Sequence, residues 1–212
     1  MEIFNLSDTG TDVNVVNQDR YTALRTASGI GHVAAVTVLL DTGANVNEVD
    51  QDGFTMLYIS SRNGRTEVVS LLLDRGADIN AVNQDGYTAL SAASLNGHIA
   101  VVSVLLNRGA NVNITDKDQR TALWKASCVG HLDIVNLLLS RGADKHVVDK
   151  NGITALSIAA SGGHVRVERV LLASGAESRG MERIIFPVHD RPAECNTCSV
   201  VLCIFASGCV IA

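Results

Sequence analysis

Proline and aromatic residues are scarce: 2 prolines and 4% aromatics in 212 positions, which argues against a disordered Pro-rich chain. No cluster of basic residues occurs. Lys and Arg number 17 against 22 Asp and Glu, a net charge of −5. Phosphate backbones are bound by clustered Lys and Arg, so nucleic acid is not an expected partner. The first 16 residues carry Glu2, Asp8 and Asp12 but no basic residue. A signal peptide needs a positive start and an apolar run, and neither is there. The expected compartment is therefore the cytoplasm, where thiols stay reduced. Catalytic signatures are missing as well. There is no Gly-rich loop followed by Lys, no Gly-x-Ser-x-Gly and no His-Glu-x-x-His. Those motifs place nucleophiles, phosphates and metals. No catalytic residue, cofactor or small-molecule substrate is expected, and the chain does not read as an enzyme.

What is present is a repeat. Thr22, Thr55, Thr88, Thr121 and Thr154 stand 33 positions apart, as do Leu24, Leu57, Leu90, Leu123 and Leu156. Gly43, Gly76, Gly109, Gly142 and Gly175 keep the same step. His32, His98, His131 and His164 share one register, with Arg65 filling it in the second cycle. A fixed step of this length marks stacked supersecondary units. Residues 83–113 show the physics of one cycle. Asn83-Gln84-Asp85-Gly86 is turn chemistry, because Asn, Asp and Gly tolerate left-handed backbone. Thr88 suits a helix N-cap. Residues 89–94 read as a short helix, broken at Asn96-Gly97. Residues 98–106 read as a second helix, with Ile99, Val102, Leu105 and Leu106 facing a core. Gly109 suits a helix stop. Neither helix is long enough to stand alone in water, so each must bury its apolar stripe against the next unit.

These motifs resemble the ankyrin repeat: Asp/Asn-x-x-Gly-x-Thr-x-Leu, Ala-Ala or Ala-Ser, Gly-His, a Val/Leu-rich helix, then Gly-Ala-Asp/Asn-Val-Asn. The resemblance spans residues 17–177 as five units, 17–49, 50–82, 83–115, 116–148 and 149–177. It implies an all-α solenoid of helix-turn-helix units with short β-hairpin fingers, working as a scaffold or adaptor that binds another protein. Residues 1–16 end in LSDTGTDVN, the closing half of a truncated preceding repeat. There are departures from the family pattern. The family's proline is replaced by Ala23, Met56, Ala89, Ala122 and Ala155. Its histidine after the leucine, which ties loops together, is replaced by Arg25, Tyr58, Ser91, Trp124 and Ser157, which removes that source of finger rigidity. The turn glycine is Arg20 in the first unit and Gln119 in the fourth. A side chain at positive φ costs about 1 kcal/mol, so those two fingers should be looser.

The resemblance also implies where binding occurs: the finger tips and the exposed side of the first helix. The expected partner-binding residues are Gln18, Gln51, Gln84, Lys117 and Lys150 in one row, and Tyr21, Phe54, Tyr87, Arg120 and Ile153 in another. Arg62, Leu95 and Trp124 on the first helices complete the set. Tyr21, Phe54 and Tyr87 form an aromatic ladder of the kind that dominates interface energetics; packing along the hairpin stem is the competing use. Trp124 reads equally as groove contact or local packing. The Asp row at 19, 52, 85 and 118 reads as turn structure, and the histidines as caps of the second helices.

The repeat stops at Glu177, and residues 178–212 differ in kind. Residues 195–212, CNTCSVVLCIFASGCVIA, carry no charge. Cys195 and Cys198 have a ligand-like spacing, but the short gaps to Cys203 and Cys209 leave too little chain to wrap a zinc ion. No metal site is expected, and disulfides are not expected in a reduced compartment. Cys209-Val210-Ile211-Ala212 fits a prenylation box, which would make the chain a lipid-anchored, membrane-associated adaptor. The run is also close to the lower limit of a membrane span. The third use is packing against the last repeat, if the segment is translated at all. A remaining alternative is that the repeats form the non-catalytic array of a larger enzyme or signalling protein.

Overall fold

A computed structural model describes residues 12–15 and 22–176. Ten α-helices occur among them, in five antiparallel pairs. The inner helices are α1 (Ala23–Ile30), α3 (Met56–Arg62), α5 (Ala89–Leu95), α7 (Ala122–Val129) and α9 (Ala155–Ser161). The outer helices are α2 (Val33–Asp41), α4 (Thr66–Asp74), α6 (Ile99–Asn107), α8 (Leu132–Ser140) and α10 (Val165–Ala173). Inner helices stack on inner helices and outer on outer, each touching only its neighbours. This is the quasi-one-dimensional stack that the 33-residue step implies.

Local sequence sets each helix boundary. The side-chain oxygens of Thr22, Thr55, Thr88, Thr121 and Thr154 accept from the backbone N–H three residues on. Each such cap contributes about 1 kcal/mol. Gly109, at φ +87°, follows α6, and Ala110 N–H bonds back to Leu105. That arrangement satisfies carbonyls the helix end would otherwise orphan.

The core runs between the two helix layers. Leu24, Leu57, Leu90, Leu123 and Leu156 are all buried on the inner side. Leu72, Leu105, Leu138 and Leu171 are their outer partners. Small residues fill the seam between inner helices: Ala93, Ser94, Ala126 and Ser127 are all fully buried. A larger side chain there would force the helices apart. One expectation about α6 fails. Ile99 is exposed, whereas Val102 and Leu105 lie in the core with Val101 beside them and Leu106 packs against it.

The hairpin fingers are minimal. Their β character is limited to isolated bridges, Val49 with Thr55 and Val148 with Thr154. Side chains hold them instead. Oδ1 of Asp50 accepts from the N–H groups of Asp52 and Phe54. Asn83, Asp116 and Asp149 do the same in their own fingers. The turn is therefore set by the residue that opens it, two positions before the Asp row singled out in the sequence. Gly53, Gly86 and Gly152 take positive φ at the turn, and Gln119 takes φ +63° in the fourth finger. Arg20 lies outside the described residues.

Candidate functional site

Three rows of contacts join successive repeats, one at the turns between inner and outer helices and two where the outer helices lead into the fingers. The first uses the Gly-His register. His98, His131 and His164 occupy the N-cap positions of α6, α8 and α10 but make no capping bond. Their Nε2 atoms instead meet the carbonyls of Arg62, Leu95 and Cys128 in the preceding repeat, at 2.9, 3.1 and 2.9 Å. Arg65 makes the equivalent bond to Gly29, at 3.2 Å. The expectation of helix caps is thus corrected: the ring ties two repeats together. Its reach also explains the glycine that precedes this register in the preceding repeat. A Cβ on Gly64, Gly97 or Gly130 would stand 2.7, 2.7 or 2.5 Å from the ring of His98, His131 or His164.

The second row uses asparagines. Oδ1 of Asn14, Asn47, Asn80 and Asn113 accepts from the N–H of Asn45, Asp78, Asn111 and Asp144. His146 stands at the next position of that row. Residues 12–15 therefore repeat the geometry of the same segment one unit later. The third row lies along the outer helices: Arg75 pairs with Asp41 at 2.8 Å, Arg108 with Asp74 at 2.7 Å, and Arg141 with Asn107 at 2.8 Å.

The finger side is built differently in each repeat. Arg25 of α1 reaches Asp50 of the next finger at 3.1 Å. A loop tie thus survives where the family's histidine is absent. In the second unit Phe54 stacks on Tyr58, with centroids 4.4 Å apart. In the fourth, Lys125 makes a buried ion pair with Asp116 at 2.7 Å, and its ammonium lies 3.8 Å above the Tyr87 ring. Arg120 covers Trp124 at 4.7 Å and stands 3.8 Å from Asp149. Oδ1 of the turn-opening aspartate holds its own turn while Oδ2 faces a cation. In the third finger Asn83 holds the turn without a charge.

The thirteen expected site residues fall into distinct settings. Gln18 and Tyr21 lie outside the described residues. Gln51, Gln84, Lys117 and Lys150 are exposed at the finger tips. Lys117 and Lys150 approach Asp85 and Asp118 of the preceding finger, each at 3.7 Å. Exposed pairs of that kind contribute little. Phe54, Tyr87, Arg120 and Ile153 are half-buried along the finger stems, and Arg62 and Leu95 half-buried at the ends of inner helices. Trp124 is 7% exposed, so its surface is spent chiefly on local packing. Phe54 and Tyr87 are each partnered by an inner-helix residue, Tyr58 or Lys125, which the sequence reading did not connect to them. Lys125 stands where the other repeats place Thr26, Ile59, Ala92 and Ile158, and that change of residue type was its signal.

Two further sites bear on the sequence expectations. Cys128 is disulfide-bonded, against the expectation of reduced thiols, and its partner lies outside the described residues. Cys209 and the rest of the 178–212 segment also lie outside them. Among the described residues no helix is long and apolar enough to cross a membrane.

Comparison with known families finds the same kind of repeat. A model of ankyrin repeats in three copies matches residues 2–83 and 76–149, and a single ankyrin-repeat model matches residues 151–178. A search of curated proteins finds no match.

Proposed function

The chain belongs to the ankyrin-repeat family, whose repeats are generally protein–protein interaction modules and typically non-catalytic, and from that premise we propose that it binds a partner protein through its finger tips and concave inner-helix face. One observation carries this reading. The joints that stack one repeat on the next use the same residue types in nearly every repeat, whereas the finger stems and the inner-helix positions beside them change from repeat to repeat. Positions whose residue type varies from repeat to repeat are the ones available for recognition. Aromatic and arginine side chains there, Phe54, Tyr87 and Arg120, are of the type that dominates interface energetics. Exposed Gln51, Gln84, Lys117 and Lys150 would form the polar rim around them. Gln18, Tyr21, Arg62, Leu95, Trp124 and Ile153 extend the face as sequence-based members.

On this reading the protein acts inside the cell as an adaptor, and residues 1–16 are the closing part of a further repeat. The repeats are also compatible with a role as the binding array of a larger signalling protein. A capture experiment with the full chain as bait, followed by titration of the captured partner, tests the face. Ala at Tyr21, Phe54 and Tyr87 together should weaken binding at least about tenfold, roughly 1.4 kcal/mol, with the helical circular dichroism kept. Because those aromatics also pack locally, Lys117→Glu with Lys150→Glu at the exposed tips provides a second arm. Unchanged affinity in both arms overturns the assignment.

A second reading rests on Cys209-Val210-Ile211-Ala212, which fits a prenylation box. It would add a lipid anchor to the same binding array, with a further acyl chain needed for stable attachment. Mass spectrometry of the mature C-terminus from a eukaryotic host decides it. An unmodified Ala212 removes the anchor.

A further inference from the structure

Three Asn–Gly pairs occur in the chain: Asn63–Gly64, Asn96–Gly97 and Asn151–Gly152. The pairing is chemically special. Glycine has no side chain to shield its backbone nitrogen, so that nitrogen can attack Cγ of the asparagine before it. All three asparagines are exposed, and their surroundings separate them. Asn63 Nδ2 donates to the Gly29 carbonyl at 3.0 Å, and Asn96 Nδ2 to the Ala92 carbonyl at 2.9 Å. The His98 ring packs over Gly64 and the His131 ring over Gly97, each 2.7 Å from where a Cβ would stand. Ring closure needs the peptide to swing about the asparagine Cα–C bond, and a packed ring opposes that swing.

Asn151 carries neither restraint. Among the described residues its side-chain amide makes no hydrogen bond, and a Cβ on Gly152 would meet nothing within 4 Å. Its place in the stack is the reason. Gly53 and Gly86, at the same register, lie against the backbone of the following finger, 3.3 Å from the Gln84 nitrogen and 2.9 Å from Asp116 Cα. No finger follows the fifth among the described residues. One restraint remains, a bond from Gly152 N–H to the Asp149 carbonyl at 2.9 Å. Gly64 N–H bonds to the Ser61 carbonyl in the same way, so this bond does not distinguish the two.

We propose that Asn151 is a site of spontaneous, intramolecular modification. The Gly152 nitrogen attacks Cγ of Asn151 and forms the N–Cγ bond. The Cγ–Nδ2 bond breaks, and the amide leaves as ammonia with the proton from Gly152. Water opens the resulting cyclic imide at Cγ to give aspartate, or at the backbone carbonyl to give isoaspartate. Either product puts a carboxylate beside Lys150, which already faces Asp118 at 3.7 Å. Aspartate makes the fifth tip like the others, since Asp19, Asp52, Asp85 and Asp118 hold this register. Isoaspartate does more. It lengthens the backbone by a methylene between two N–H groups that Asp149 Oδ1 accepts from, Asn151 at 2.8 Å and Ile153 at 2.9 Å. Both bonds cannot survive the longer path, so the fifth finger loosens.

Ageing the full chain in mildly alkaline buffer, followed by digestion and peptide mass spectrometry, tests this. Asn151 should convert about tenfold faster than Asn63 or Asn96, the factor that one net hydrogen bond supplies. Its products should elute as separate aspartate and isoaspartate peptides. In concentrated urea the three rates should draw together, because the packing that separates them is gone. Conversion of Asn151 no faster than that of Asn63 and Asn96 overturns the proposal. So does a rate difference that persists in urea, which neighbouring sequence alone would set, or a product that is aspartate only, which would mean hydrolysis without the imide.

Discussion

The loop side and the finger side of the same stack solve the same problem in opposite ways. On the loop side, a ring or guanidinium reaches a backbone carbonyl of the preceding repeat, over a glycine that leaves room for it. At the other end of the outer helices an asparagine likewise bridges to the next backbone N–H. These joints depend on backbone atoms, which every repeat has, so the same residues recur. On the finger side the partners are side chains: a stacked Phe54–Tyr58 pair, a buried Lys125–Asp116 pair, an Arg120–Trp124 pair. Each contact needs only its own side chains to be complementary, so its residue types differ from repeat to repeat. Regularity in this protein thus marks where the chain holds itself together, and irregularity marks where it is free to meet something else.

The sharpest way to probe the finger side is to turn one repeat into its neighbour. Asp116→Asn keeps the carboxamide oxygen that holds the turn, as Asn83 does in the third finger. It removes the charge facing Lys125, whose side chain is 5% exposed. Breaking a buried pair from one end costs about 3–5 kcal/mol, read as a lowered urea midpoint at constant m-value. Adding Lys125→Ala recreates the Asn83 and Ala92 combination of the third repeat and should recover most of that loss. A double variant no more stable than Asp116→Asn would show that the finger pairs are not exchangeable between repeats.

The histidine joint is probed by two glycines that share a backbone conformation but not surroundings. Gly97 and Gly109 have φ of +79° and +87°. An added Cβ at Gly97 meets the His131 ring at 2.7 Å, and at Gly109 it meets nothing within 4 Å. Gly109→Ala should therefore cost only the left-handed strain, about 1–2 kcal/mol. Gly97→Ala should cost that plus the displacement of His131 and its bond to Leu95, roughly a further 1 kcal/mol or more. Equal losses would mean that both glycines serve conformation alone and that the histidine tie carries no weight.

How much of this was legible in the sequence follows the same division. The threonine caps, the stop at Gly109, the leucine core and the five-unit stack could be read directly, because each rests on a local rule repeated at a fixed step. The direction of the histidine rings could not be read. His98 sits at an N-cap position, and only the packed neighbour shows that its ring turns to the Arg62 carbonyl. Asp50, Asn83, Asp116 and Asp149 recur every 33 residues as plainly as the threonines do, but Asp52 and Asp85, nearer the turn glycine, drew the assignment. The candidate site was legible as a set of positions and not as a set of contacts. Tyr87 meets Lys125 across 38 residues, and no periodicity within one repeat connects them. For the same reason the free aromatic ladder expected from Phe54 and Tyr87 is instead two rings partnered by an inner helix.

Glu48 lies where the two sides join, and it provides the smallest and most selective test. Its register holds Val15, Ala81, Ile114 and Val147 in the other units, so a carboxylate has taken an apolar position. Burial pushes its carboxyl above the usual range, and a hydrogen bond from the Thr22 hydroxyl pulls it part of the way back. Oε2 is buried and makes no hydrogen bond among the described residues. A raised folded-state value means that the neutral acid is the form the fold prefers. Its contribution is full below the unfolded value and is lost as pH rises through the folded one. At neutral pH the wild-type chain therefore carries a charge in a site that disfavours it. Glu48→Gln should be slightly more stable than wild type at pH 7, and the gap should close as the pH falls to about 4. Thermal melts of both chains at the two pH values measure it. A variant that is less stable at pH 7 would show that the Thr22 bond outweighs burial and that this joint, like those on the loop side, is held by its polar contact.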